Sequence, residues 1–220
     1  DEKKNAEGKT KKRPLAENDV AALKPFHWGF EFDEIINQRG GFDAIITNPP
    51  WEVFEASEKE FFQEYVPDIQ KKALRIEDWE KQFKTIMKQA SLRSAWLAYA
   101  SGFSHASTYL RSAPQYTNQQ SFDSDGRRLA SKINLYKVFV EQSVNLLRSD
   151  GYCGMVIPSG IYNELGAKQL REMLFEKTKL TGIFGFDNRK EIFEGVHRSF
   201  KFVALTLRKG GSTHELPVVF

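Results

Sequence analysis

Asn48-Pro49-Pro50-Trp51 joins four residues whose side chains and backbone could hold an amine against an electrophile. Prolines 49 and 50 carry no N–H, and each disfavours the helical region for the residue before it, so Asn48 and Pro49 are expected to be extended, with unpaired carbonyl oxygens. Asn48 adds a side-chain carbonyl, and Trp51 adds a flat face on which a planar ring can stack. A planar ring bearing an exocyclic NH₂ suits this set. The lone pair of such a nitrogen is delocalised into the ring; two carbonyl acceptors gripping its hydrogens favour a more tetrahedral nitrogen whose lone pair can attack. No strong base is needed when the electrophile is already activated, as a sulfonium methyl group is.

Two prolines after a strand can also make an ordinary turn, so the flanking residues matter. Phe42 to Thr47 has the β-branched, apolar make-up of a strand buried on both faces, typical of parallel α/β sheets. The tetrapeptide then lies at a strand's carboxyl end, where open α/β sheets place their ligand sites.

The elements around this strand can be read by periodicity. Residues 1–23 are poor in apolar side chains and are expected to form a mobile lead-in. Its basic cluster of Lys9, Lys11, Lys12 and Arg13 reads as a solvated tail rather than a phosphate contact. Phe26, Trp28, Phe30 and Phe32 alternate, which predicts a half-buried strand or an extended lead-in; His27, on the opposite face, is assigned no catalytic role. Residues 52–130 form a charged insertion. Ser57-Glu58-Lys59-Glu60 is a capping-box pattern opening a short helix ended by Pro67, and Trp79, Phe83, Ile86, Ala90, Leu97 and Ala100 predict one longer helix. Residues 104–130 read as loop, in which Arg111, Arg127 and Arg128 could meet a phosphate backbone.

Regular order returns after residue 130. Ile133, Tyr136, Phe139, Val140, Val144 and Leu147 predict a helix ending at Asp150-Gly151, with glycine at the C-terminal cap position. Strands are expected over residues 152–157, 180–186 and 200–207, with a helix between the first two, capped by Asn163 and buried through Leu170, Met173 and Leu174. The last two strands are close enough for a hairpin.

Composition excludes several function classes. The chain has 220 residues, 40% hydrophobic, with a net charge of +3, too small by itself to indicate a nucleic-acid partner. The lone Cys153 rules out an intramolecular disulfide or a Cys-rich zinc site and reads as a buried structural thiol. No signal-peptide pattern or long apolar span is present, so a cytoplasmic location without a membrane partner is expected. Pro67-Asp68 lacks the following acidic-x-Lys of a nuclease centre.

With these residues in place, the chain resembles the γ-type adenine-N6 DNA methyltransferases, in particular the Eco57I-like (type IIG restriction-modification) and BREX-type enzymes. Asn48-Pro49-Pro50-Trp51 looks like their motif IV, and Gly151-Tyr152-Cys153-Gly154-Met155-Val156-Ile157-Pro158 looks like the next central strand. The likeness runs from about residue 24 to 210 and implies the carboxyl-terminal half of a catalytic domain. The implied fold is a partial Rossmann-like α/β sheet, mostly parallel with an antiparallel last strand, over residues 24–220. The implied reaction is methyl transfer from S-adenosylmethionine to adenine N6 of a base flipped from double-stranded DNA, in restriction-modification or phage defence. Asn48, Pro49, Pro50 and Trp51 would be catalytic, with Asn48 and Pro50 also near the cofactor. Trp51 and Phe193 would contact the base, and Arg189, Lys190 and Arg198, together with His197 and Lys201, would place the target strand.

The aromatic-x-Gly-x-Gly loop of such enzymes does not occur in the chain. The main cofactor loop is therefore expected upstream and a target-recognition domain downstream, so that these residues alone would be inactive. Methylation of RNA or a protein glutamine remains open, as the same tetrapeptide serves both. So does a non-catalytic nucleic-acid-binding module.

Overall fold

The computed structural model describes residues 2–4, 10–12, 14, 16–65, 76–120, 122, 125–127 and 132–220. Lys9, Arg13, Pro67, Asp68 and Arg128 lie outside the described residues. The chain divides into two compact units, Asp1–Gly41 and Phe42–Phe220.

In the first unit, strands β1 (Glu2–Lys4) and β2 (Thr10–Lys12) pair antiparallel, and helix α1 (Glu17–Ala22) follows. The strand expected across Phe26 to Phe32 is replaced by helix α2 (Trp28–Glu31) and a π-helical turn over Glu34–Gln38. Phe26, Trp28 and Phe32 pack on one another, with ring centroids 5.0–6.3 Å apart. The four-residue spacing of Trp28 and Phe32 lets a helical turn stack them, a solution that the two-residue alternation conceals. Asn37 and Gln38 donate to Asp33 and hold its carboxyl below the usual carboxylate range.

The second unit is built on a five-stranded sheet in the order β3-β4-β6-β5-β7. The strands are β3 (Phe42–Thr47), β4 (Leu147–Pro158), β5 (Thr178–Asp187), β6 (Lys201–Lys209) and β7 (Val218–Val219). β3 is parallel to β4 and β7 to β5, while β6 lies antiparallel between β4 and β5. One long strand thus opposes the common direction, as expected of the α/β class. Helices α3 (Glu58–Gln63), α4 (Ile76–Ile86) and α5 (Ala90–Ser112) belong to the insertion; α6 (Leu135–Leu146), α7 (Gly160–Asn163) and α8 (Lys168–Lys177) follow it.

Burial on the two sides of this sheet is unequal. Tyr136, Val140 and Val144 of α6 and Leu170, Met173 and Leu174 of α8 cover Cys153, Met155, Ile157, Val203, Leu205 and Leu207. The opposite face carries Ile46 (91% exposed), Tyr152 (57%) and Phe184 (40%). Among the described residues β3 is an edge strand, packed on one face and not the doubly buried strand that its apolar run suggests. Ile45 meets the core while Ile46 points away, the alternation that strand geometry imposes.

Helix α6 ends at Leu146, short of Asp150-Gly151 and without a glycine cap. Its end is satisfied from a distance: the Lys209 ammonium on β6 bonds the carbonyls of Leu147 (2.6 Å) and Asn145 (3.2 Å). Gly151 is needed for another reason, because a Cβ there would lie 2.8 Å from the Phe42 carbonyl oxygen. Asn163 closes α7 rather than capping α8, which starts at Lys168 directly after a 3₁₀ turn over Leu165–Ala167 and has Ala167 at its N-cap position.

Ser57 caps α3 as predicted, its Oγ accepting from the Glu60 amide at 3.3 Å. The single long helix expected next is two, broken at Met87–Gln89. The break lets Trp96 of α5 reach Phe62 (5.5 Å) and Phe83 (6.1 Å), so the apolar stripe is buried against α3 and α4 in a separate aromatic core. α5 then continues through the expected loop to Ser112. Its polar residues bond backward, Thr108 to the Ser104 carbonyl and Ser112 to that of Thr108, so they do not interrupt it. The buried Glu141 receives bonds from the Asn118 amide and side chain and from Gln119, which ties the segment after α5 to α6. Phe54 N–H bonds the Ile133 carbonyl (2.8 Å) and Leu135 N–H that of Glu52 (3.0 Å), so the insertion leaves and rejoins the sheet at one clasp.

Cys153 is 3% exposed, and burial pushes its thiol up to about 11 from 9.0. Alkylation by iodoacetamide at pH 8 is expected only after denaturation, and counting labelled thiols by mass spectrometry checks this. The raised value favours the folded state fully below pH 9, and that contribution fades as pH rises towards 11.

Candidate active site

Register brings four strand ends together. Thr47 pairs with Met155, Pro158 with Phe202 and Asp187 with Lys201, so the carboxyl ends of β3, β4 and β5 and the amino end of β6 share one edge of the sheet. Asn48 to Trp51 leaves β3 at this edge, and the loop of residues 188–200 connects β5 to β6 beside it. Between them is an open cleft of about 470 Å³. Asn48, Pro49, Pro50, Trp51 and Glu52 line one side; Ile192, Phe193, Glu194 and Val196 line the other. Asn48 and Pro50 are exposed, Pro49 is buried and Trp51 is half-buried.

Trp51 is fixed on several sides. Its Nε1 donates to the Val156 carbonyl at 3.1 Å, which anchors the indole to β4. The ring stacks on Phe200, with centroids 5.6 Å apart and planes 11° from parallel, and meets Phe202 at 5.7 Å. Phe193 approaches edge-on, at 4.8 Å and 66°. Offset and edge-to-face geometries of this kind are the favoured ones for aromatic pairs.

The motif residues and Phe193, predicted far apart in sequence, thus meet at one cleft. The predicted cations do not line it. Arg189 Nε donates to Asp187 at 2.7 Å and holds that carboxyl below the usual range, while Arg198 Nε lies 3.0 Å from Glu191. Lys190 and Lys201 are exposed, and His197 Nδ1 shares a 2.7 Å hydrogen bond with the Ser199 hydroxyl. Solvent screens such exposed pairs, which makes them weak.

Sequence reasoning missed Asn188, which is fully buried beneath the loop. Its Oδ1 accepts from the Phe193 amide (2.9 Å), and its Nδ2 donates to the carbonyls of Phe193 (2.9 Å) and Val196 (2.8 Å). The one available sign was an Asn directly after a strand end, where such side chains organise turns. Phe200 and Phe202 were read only as strand residues, and their stacking on Trp51 depends on the β4–β6 register.

The lining offers carbonyl acceptors and aromatic surface and suits a ring bearing an amine. It fits a cofactor such as S-adenosylmethionine poorly, because the methionine carboxylate calls for a nest of N–H donors and prolines 49 and 50 have none. Among the described residues no group of three or more His, Cys, Asp and Glu could hold a metal ion, and no helix is long and apolar enough to cross a membrane.

Comparison with known proteins gives a family match over most of the chain. Residues 2–79 and 70–193 match the family of Eco57I restriction-modification methylases. A Methanocaldococcus jannaschii protein named for type II restriction enzyme and methyltransferase activity is 26% identical over 176 residues, which are 80% of this chain and 10% of that protein. The chain therefore spans about a tenth of the length of this curated relative. Among solved structures, a nuclease-deletion mutant of the type ISP restriction-modification enzyme LlaGI, in complex with a DNA substrate mimic, aligns with 90% of the chain and 17% of its own, at 16% identity and a TM-score of 0.42. The type IIG restriction endonuclease BpuSI aligns with 42% of the chain and 11% of its own, at 24% identity and a TM-score of 0.33.

Proposed function

Given that the chain belongs to the Eco57I restriction-modification methylase family, we propose that its cleft receives an adenine flipped out of double-stranded DNA and presents N6 for methylation. The observation that carries this is the cleft itself, with acceptor-bearing Asn48 and Pro49 on the wall that also holds Trp51, and Phe193 opposite.

Inside a duplex the target nitrogen cannot be reached, so the base must leave the stack. The extruded ring lies against Trp51 with Phe193 at its edge. Its amino group donates to the Asn48 side-chain carbonyl and the Pro49 backbone carbonyl, which draws the nitrogen towards tetrahedral geometry and orients its lone pair. Position and orientation supply most of the rate. S-adenosylmethionine is the donor in this proposal and supplies an activated methyl group. Asn48 and Pro50 would be the residues of this cleft beside such a donor, while the main donor-binding residues and those that read the DNA sequence would belong to another part of the polypeptide. Arg189, Lys190 and Arg198 contact phosphates next to the extruded base, exchanging Asp187 and Glu191 for the backbone.

The test is transfer of tritium from labelled S-adenosylmethionine by the complete polypeptide that carries these residues, offered unmethylated duplex DNA, RNA and protein side by side. Label in DNA, recovered as N6-methyladenine by nucleoside mass spectrometry, is expected. Label in RNA, in a glutamine or in N4-methylcytosine refutes the adenine assignment, and no label in any acceptor points to a binding module.

A further inference from the structure

We infer that Asn188 is a positioning residue for the base-binding cleft, holding the wall that carries Phe193 against Trp51; the inference rests on the adenine-methylation proposal above. Asn188 does not line the cleft. It is 0% exposed, and its side chain makes three hydrogen bonds, all to backbone groups of Phe193 and Val196, which do line it. Its own backbone is engaged as well: Asn188 N–H bonds the Phe200 carbonyl at 3.0 Å, and its carbonyl accepts from Glu191 N–H at 2.8 Å.

These bonds hold a loop that would not keep its shape unaided. Glu191 has φ 52° and Gly195 φ 76°, both in the left-handed region, where a non-glycine residue is strained. The Glu191 amide is tied to the Asn188 carbonyl, so the strained residue is held on the asparagine. A buried amide with its Oδ1 and Nδ2 satisfied is rigid, since each bond lost would leave a polar group unpaired. That rigidity reaches the ligand side through Phe193, whose amide and carbonyl both bond Asn188 and whose ring meets Trp51. Asparagine suits the place because it presents one acceptor and two donors from a single planar group. Aspartate has no donor when ionised, and alanine has neither.

The experiment compares Asn188→Ala, Phe193→Ala and the double variant in the complete polypeptide, with unmethylated plasmid DNA and labelled S-adenosylmethionine. Asn188→Ala is expected to lower kcat/KM for DNA on the order of 10²-fold, the scale of a small displacement of a binding group, with KM for S-adenosylmethionine unchanged. The double variant is expected to match Phe193→Ala, because Asn188 acts through Phe193. Wild-type kcat/KM in Asn188→Ala overturns the inference, and so do losses that multiply in the double variant or an equal rise in KM for both substrates. If Asn188→Ala does not fold, Asn188→Asp, nearly isosteric and retaining the acceptor, takes its place: its loss is expected to vanish in the Phe193→Ala background, and persistence there counts against the inference. Asn48→Ala separates the two levels. An active Asn48→Ala removes the methylation proposal and this inference with it; an inactive one beside unaffected Asn188 variants removes this inference alone.

Discussion

Asn48→Ala is expected to nearly abolish methyl transfer and leave the fold intact. Asn48 is exposed at the end of β3, and substitutions at exposed positions without a cap, strained backbone or buried bond usually change stability by about 0.5 kcal/mol or less. In the proposed mechanism its carbonyl is one of two acceptors that reshape the target nitrogen, and the contact strengthens as positive charge develops there during transfer. Removing one preorganised partner of this kind costs about 10²–10³-fold in turnover in enzymes that stabilise developing charge. Single-turnover transfer from labelled S-adenosylmethionine measures it directly. Asn48→Asp keeps an acceptor at the same place and is expected to fall between wild type and alanine. Undiminished transfer by Asn48→Ala, with an unchanged melting temperature, would remove Asn48 from the chemistry.

The part of the site that was legible in sequence is the part written locally. Asn48 to Trp51 announces itself by composition, and Phe193 follows from resemblance to a family pattern. What the sequence could not show is how these pieces are held. The Trp51 indole bonds a carbonyl 105 residues away, and Phe200 and Phe202 reach it only through strand register. Asn188 looks like any polar residue at a strand end until its burial is known. The fold errors have the same origin. The end of α6 depends on Lys209, 62 residues on from Leu147, and the break between α4 and α5 on a tertiary aromatic core around Phe62. The exposure of Ile46 depends on which face of the sheet is covered, and an apolar run does not specify that. The succession of elements after residue 130 and the buried faces of the helices were readable because they rest on periodicity. The local cap at Ser57 was readable too, whereas the end of α6, the break between α4 and α5 and the burial of β3 depend on distant residues.

Trp51 tests whether the aromatic cluster serves the ligand or only the fold, and Trp51→Ala is expected to damage both to different extents. Stability falls, since truncation removes the stack on Phe200, the contacts with Phe193 and Phe202 and the bond to Val156. Because the ring is half-buried, the loss should stay below the roughly 3–5 kcal/mol of a fully buried aromatic. The ligand effect is separate. Stacking a base on an aromatic ring contributes about 1–3 kcal/mol, which corresponds to a rise of roughly 5- to 150-fold in KM for DNA, assayed well below the variant's melting temperature. Trp51→Phe divides the two effects. It keeps a ring for the base and for Phe200 but loses the Nε1 donor, a bond of about 1 kcal/mol. Its melting temperature should therefore drop part of the way, while its KM for DNA stays nearer wild type than that of alanine. If KM for DNA instead remains at the wild-type value in Trp51→Ala, the indole is a structural anchor and the base must find its stacking surface elsewhere.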